Sequence, residues 1–237
     1  MHAPEALLFD LWGTLIEHLG FDPARGHAAA LALCDNPRGV TLEEIMELGR
    51  RVVTAMDDRE DTAAIEFTQG ELLRIIGDSF GLRYRAPLDE VEWVFWKAAF
   101  ELRLMDGIAE LLPALKERGL PLGVVSNSSF LASTIGRQLE RLGIRRFFDF
   151  VVSSADYGVR KPDPIIFEVA LRRLGHGPQS VWFAGDHVTY DIIGGTRAGM
   201  FCVGFNPRAS IPEGTGEHRV ITRWSELSAL IETAESR

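Results

Sequence analysis

Four short polar clusters in this 237-residue chain have residue types and spacings that could do chemistry together. Asp10-Leu-Trp-Gly-Thr14 offers a carboxylate, a turn glycine and a hydroxyl, and Ser126-Asn127 adds a second hydroxyl and an amide. Arg160-Lys161-Pro162 supplies an ammonium, and Gly185-Asp186 with Asp191 supplies two further carboxylates. Gathered in one place they form a site with a carboxylate nucleophile, hydroxyl donors, a fixed cation and an acidic pair. A carboxylate attacks an anionic group only where a cation and hydrogen-bond donors first offset the repulsion. Each cluster alone has a plainer reading: Asp10 as a turn residue, Ser126-Asn127 as a loop start, Asp191 as a helix N-cap. Lys161 stands out because Lys97 and Lys116 are the chain's only other lysines, and surface cations in this composition are arginines.

The elements that must position these groups follow from the apolar pattern. Ala6-Leu7-Leu8-Phe9 is a short uncharged run ending at Asp10, the signature of a buried parallel strand whose carboxyl end opens into a loop. Residues 121–126, 147–153, 181–184 and 201–205 repeat that reading, and Val220-Ile221 suggest a short last strand. Between them Ile108, Leu111, Leu112 and Leu115 recur at helical spacing and stop at Gly119, and Leu131, Ile135, Leu139 and Leu142 stop at Gly143. Asp163-Pro164 reads as an N-cap with proline at the first helical position, and that helix stops at Gly175. Alternation of helix and strand from about residue 106 predicts an α/β fold with a doubly wound, Rossmann-like parallel sheet.

Residues 17–104 show helical patterns without a convincing strand. Thr41-Leu-Glu-Glu44 is a capping box opening a helix to about Met56, and 67–80 and 90–102 are amphipathic. The expected organisation is a core of residues 1–16 and 105–237 with an α-helical cap, 17–104, inserted over the strand tips where ligands bind. Trp93, Phe95 and Trp96 are candidates to line the cleft, although their helical spacing also suits a core. Arg25, Arg50 and Arg51 are candidates to grip a second anionic group.

Composition narrows the partners. The chain is 46% hydrophobic and 25% charged, which suits a globular protein, and its net charge of −9 comes with scattered basic residues, against a nucleic-acid or membrane-surface partner. Cys34 and Cys202 lie far apart with no metal-ligand spacing, so a zinc site or disulfide framework is not expected. No run of about 18 apolar residues occurs, and the expectation is a cytoplasmic monomer or homodimer acting on a small anionic substrate.

The four clusters together resemble the haloacid dehalogenase-like hydrolase superfamily over about residues 5–205. Phe9-Asp10-Leu-Trp-Gly-Thr-Leu15 is similar to its first motif, Val124-Val125-Ser126-Asn127 to its second, Gly158-Val-Arg-Lys161-Pro-Asp-Pro-Ile-Ile-Phe167 to its third and Gly185-Asp186-His-Val-Thr-Tyr-Asp191 to its fourth. The resemblance implies a covalent aspartyl intermediate on Asp10, substrate orientation by Thr14, Ser126 and Asn127, and charge neutralisation by Lys161. It also implies Mg²⁺ held through Asp10 and Asp186, with Asp191 and the Trp12 carbonyl as further candidate ligands. Trp12 departs from the phosphatase pattern, which carries a second aspartate there as acid and base. Indole cannot transfer that proton. Either the substrate brings a good leaving group, such as an acyl or aryl phosphate, or His187 or a cap residue substitutes. Trp12, placed to touch substrate, also suits the metal-independent 2-haloacid dehalogenases, whose halide leaves unprotonated, whereas the Asp186–Asp191 spacing suits the magnesium-dependent phosphatases. The phosphonatase branch is disfavoured because 17–95 contains no lysine. A non-catalytic protein that binds phosphate or a phosphorylated metabolite is the third reading.

Overall fold

Each residue of Ala6–Phe9 is wholly buried, and the run forms strand β1 at an interior position of the sheet. Burying one such large side chain is worth roughly 1.5–3 kcal/mol, so the first polar residue, Asp10, falls where the strand ends. The protein is described here from a computed structural model covering residues 2–63, 65–207 and 218–236, with the side chains of 57–63 excepted. After β1 come β2 (Ile16–Phe21), α1 (Pro23–Leu31), β3 (Cys34–Asp35), α2 (Leu42–Ala63), α3 (Gln69–Phe80), β4 (Arg83–Tyr84), α4 (Leu88–Ala99) and β5 (Phe100–Leu104). The chain then alternates through α5 (Ile108–Glu117), β6 (Leu122–Ser126), α6 (Ala132–Arg141), β7 (Phe150–Ser153), α7 (Ser154–Tyr157), α8 (Pro164–Leu174) and β8 (Val181–Gly185). It finishes with α9 (Gly194–Arg197), β9 (Phe201–Phe205), β10 (His218–Ile221) and α10 (Trp224–Glu235).

Six strands form one parallel sheet in the order β10-β9-β8-β1-β6-β7, with helices on both faces. The period-two alternation of a strand divides β1 between two cores. Leu7 and Phe9 pack with Leu112 of α5 and Leu227 of α10, while Ala6 and Leu8 pack with Ile166 and Phe167 of α8. Strand order reverses at β1, which has β6 on one side and β8 on the other, and such a switch point opens a crevice at the carboxyl ends. The expected doubly wound α/β sheet is therefore present. No helix among the described residues is long and apolar enough to cross a membrane.

The segment between β1 and α5 differs from the expectation of helices alone. β2 pairs with β5 antiparallel, and β3 with β4. A register shift between His18 and Gly20 breaks the alternation of β2, and β5 continues the amphipathic run of α4 without a break in composition, so both strands hide in sequence. The strand expected at 147–153 begins only at Phe150, because Arg145–Phe147 make a single 3₁₀ turn. The capping box at Thr41 is present, with Glu44 N–H donating to Thr41 Oγ1 at 3.3 Å and Thr41 N–H to Glu44 Oε2 at 2.8 Å.

Helix α4 ties this segment to the sheet domain through buried polar contacts. Glu92, 1% exposed, accepts from the Leu131 N–H at 3.0 Å and the Thr134 hydroxyl at 2.6 Å, and so caps α6 from outside. Trp96 Nε1 donates to Gln138 Oε1 at 3.1 Å. Burial pushes the Glu92 carboxyl above its ordinary range, opposed by the bonds from Thr134 and Leu131. A raised folded-state acid stabilises the fold below its unfolded pKa and loses that contribution as pH rises through the folded value. Glu92→Gln keeps both accepted bonds without the charge, so its stability relative to wild type is expected to increase between pH 4 and pH 7. Glu92→Ala is expected to be destabilised by about 1–3 kcal/mol through the orphaned donors. Urea unfolding at the two pH values checks both, and a pH-independent difference for Glu92→Gln would contradict the assignment.

Candidate active site

Parallel pairing brings the polar clusters together. Phe9 pairs with Val124 of β6 and with Ala184 of β8, so Asp10, Ser126 and Asp186 leave three adjacent strand tips side by side. The Asp10 N–H extends the ladder by donating to the Ala184 carbonyl at 2.8 Å. Lys161 enters from the loop between α7 and α8. The Asn127 amide sets it in place, donating to the Lys161 carbonyl at 2.9 Å and accepting the Lys161 N–H at 2.7 Å. Asn127, expected to touch substrate, thus has both ends of its side chain on the Lys161 main chain.

The Lys161 ammonium lies 2.6 Å from Asp10 Oδ1 and 2.6 Å from Asp191 Oδ1, and the residue is 1% exposed. Burial works against its charge, but Asp10 and then Asp191 outweigh that effect and raise its pKa above the ordinary lysine value. For Asp10 burial is the largest influence and pushes the carboxyl up; Lys161 pulls it down, while Asp191 and Asp186 push it up again. The net result is a pKa of about 7. Asp10, Asp186 and Asp191 each present an oxygen within 4.8 Å of the others. Lys161 is bonded to two of these acids, and the closeness of the third, Asp186, is a like-charge arrangement that added positive charge would favour.

The donor set suits a hard divalent cation. All three groups are oxygen ligands, the preference of Mg²⁺, and a dication would balance the excess charge. Two glycines make room for these acids. Gly13 has φ +73°, and a Cβ there would lie 2.2 Å from Asp186 Oδ2; a Cβ on Gly185 would lie 2.4 Å from Asp191 Cγ. Asp191 is not an N-cap. It sits inside a π-helical turn, Val188–Ile193, whose cap is the His187 side chain accepting from the Tyr190 N–H at 3.3 Å. Its second oxygen accepts the His187 N–H at 2.9 Å, so Asp191 anchors both Lys161 and the loop after β8. His187 itself stacks on Tyr190 at 4.1 Å between ring centroids.

Thr14 is fully buried, and its Oγ1 has no hydrogen-bond partner among the described residues. The Ser126 hydroxyl makes a long 3.3 Å bond to the Asn127 carbonyl. Trp12 stacks against His18 at 4.4 Å and leans on Trp96 and Phe100. Together with Asn127 and Arg160 it walls a cavity of about 390 Å³. Phe95 and Trp96 are core residues, and Trp93 lies beneath Lys97, Arg137 and Arg141, so none of the three lines this cavity. Arg50 and Arg51 line a different hollow beside Thr41 and Phe80, and Arg25 is not in the cavity wall. Sequence reasoning missed Glu66, Phe100 and Phe130, which reach the cavity only through tertiary contacts; Phe100 at the α4–β5 junction left no local signal.

A family model described as haloacid dehalogenase-like hydrolase matches residues 4–199. A glyceraldehyde 3-phosphate phosphatase of Methanothermobacter thermautotrophicus is 32% identical over 199 residues, covering 84% of each chain. Among solved structures, a phosphatase of Thermococcus onnurineus superposes with a TM-score of 0.66 at 21% identity over 98% of both chains. A 2-haloacid dehalogenase of Pseudomonas syringae superposes with a TM-score of 0.66 at 23% identity, covering 98% of this chain and 99% of that one. At those identities the structural likenesses concern the fold.

Lys161→Met removes the cation that Asp10 and Asp191 share. Breaking a buried pair in this way costs about 3–5 kcal/mol, so the variant is expected to unfold at a clearly lower urea midpoint. Adding Asp191→Asn should recover part of the loss. A single variant with the wild-type midpoint would mean that another group balances the two acids.

Proposed function

This chain belongs to the haloacid dehalogenase-like hydrolase family, and we propose that it is a magnesium-dependent phosphatase that carries the phosphoryl group of a small metabolite on Asp10. The observation that carries the reading is the third acid: Asp186 lies beside Asp10 and Asp191, the two acids that Lys161 already bonds. Metal-free cleavage of a carbon–halogen bond gains nothing from that excess of negative charge, whereas a site built around a divalent cation needs it. The M. thermautotrophicus relative, named as a phosphatase, points the same way.

In this reading Asp10 is the nucleophile, held by its main-chain bond to Ala184 and oriented by Lys161. Lys161 neutralises charge on the transferring group, positioned by the Asn127 amide and braced by Asp191. Thr14 and Ser126 orient phosphoryl oxygens. Mg²⁺, held by Asp10, Asp186, the Trp12 carbonyl and Asp191, supplies the missing positive charge when bound. Residues 17–104 act as a cap on the core of 1–16 and 105–237, excluding water from the phosphoaspartate. The cavity accords with that division, because Phe21, Met56 and Phe67 wall it from one side and Asn127, Ser128 and Phe130 from the other.

Trp12 favours a second reading, dehalogenation, since an acid at that place contributes on the order of 10² to 10⁴ in rate to phosphate transfer and indole cannot supply it. The two readings separate cleanly in assay. We expect hydrolysis of acetyl phosphate and 4-nitrophenyl phosphate that requires Mg²⁺, is lost with EDTA and falls to background in Asp10→Asn, with no halide released from 2-chloropropionate. Trp12→Asp is expected to raise turnover of glyceraldehyde 3-phosphate at least tenfold. Halide release independent of metal would establish the dehalogenase instead. Identical low activity in wild type and Asp10→Asn would leave a phosphate-binding protein.

A further inference from the structure

Six rings, those of Trp12, His18, Phe21, Phe67, Phe100 and Phe130, stand in the wall of the cavity beside the Asp10 loop. Phe100 is its hub, with ring centroids 5.6 Å from Trp12, 5.3 Å from His18, 4.6 Å from Phe21 and 5.5 Å from Phe130. Phe21 is 52% and Val53 42% exposed, so large apolar side chains face water at the mouth of a cavity that is in the size range of small-molecule sites. Formal charge on the described side chains of the wall is balanced. Arg160 lies 3.8 Å from Glu66, whose Oε2 also accepts the Ser154 hydroxyl at 2.5 Å. The wall is thus suited to a flat uncharged group and poorly suited to a second phosphate or carboxylate.

Building on the phosphatase reading above, we propose that the substrate is the phosphate monoester of an acidic aromatic or heteroaromatic hydroxyl, whose ring stacks in this cavity against Trp12, His18 and Phe100. The same tryptophan that removes the acid from the site provides the surface on which such a leaving group rests. In the first step the Asp10 oxygen bonds to phosphorus while the phosphorus–oxygen bond to the ring breaks. Its electron pair leaves on the aryloxide, where the ring delocalises it, and no proton is needed. Water oxygen then bonds to phosphorus, the bond to Asp10 breaks to return the carboxylate, and the proton released by water stays on the departing phosphate.

The test is a steady-state panel on the whole protein with Mg²⁺: phenyl phosphate, benzyl phosphate, ribose 5-phosphate and acetyl phosphate. Phenyl phosphate is expected to exceed benzyl phosphate at least tenfold in kcat/KM, because only its leaving oxygen is acidic. Benzyl phosphate is expected to exceed ribose 5-phosphate at least threefold, because only it carries a ring. Phe100→Ala should lower the ratio of phenyl to acetyl phosphate kcat/KM about tenfold, mainly through KM for the aryl ester. The half-exposed Phe21→Ser provides the same readout with a smaller change should Phe100→Ala fail to fold. Turnover of acetyl phosphate with ribose 5-phosphate equal to or faster than phenyl phosphate overturns this proposal while leaving the phosphatase standing. Absence of hydrolysis of all four esters overturns both.

Discussion

A lysine ammonium that is 1% exposed keeps its charge only if acids close enough to offset the lost hydration are held against it. Lys161 has two, Asp10 and Asp191, each at 2.6 Å, and much of the surrounding structure serves to hold that arrangement. Asn127 grips the lysine main chain, the π-helical turn presents Asp191, and the glycines at 13 and 185 leave space for Asp186 and Asp191 where any side chain would collide. Asp10 is consequently a carboxyl pulled between a cation that favours its charge and a dry environment and two acids that oppose it.

The second organising feature is a layer of rings between the sheet domain and the inserted segment. Trp96 of α4 lies under Trp12 and Phe100, and Phe130 of the loop after β6 meets both Trp96 and Phe100 edge-on. Below this layer α4 is bonded to α6 by Glu92 and Trp96. Above it Phe21 of β2 and Val53 of α2 stand half in water. The layer therefore joins a firmly attached floor to an open rim, and Trp12 is part of the floor.

Much of the sheet domain was legible along the chain because its signals are local. An uncharged run such as Ala6–Phe9 or Phe201–Phe205 has nowhere to go but the interior, and Asp163-Pro164 or Thr41 with Glu44 mark helix starts by bonds within four residues. The strand pair β2–β5 was not legible. Its partners are separated by about 80 residues or more, one strand carries a bulge and the other continues a helix without a change in pattern. Distance of the same kind hid Phe100 and Glu66 from the reading of the cleft, whereas the helical spacing of Trp93, Phe95 and Trp96 already pointed to a core, where Phe95 and Trp96 lie.

By itself the sequence determined which groups exist to react, in what order they follow buried strands, and that an indole stands where a carboxyl might. Those are properties of residue type and short-range spacing. Tertiary structure alone decided that Asn127 would hold a lysine, that Asp191 would brace that lysine from inside a π-turn, and that six rings would close into one wall. Hydrogen bonds and ring contacts between residues tens of positions apart depend on where strand pairing and helix packing place each backbone to within an ångström, and no local pattern of side chains encodes that distance.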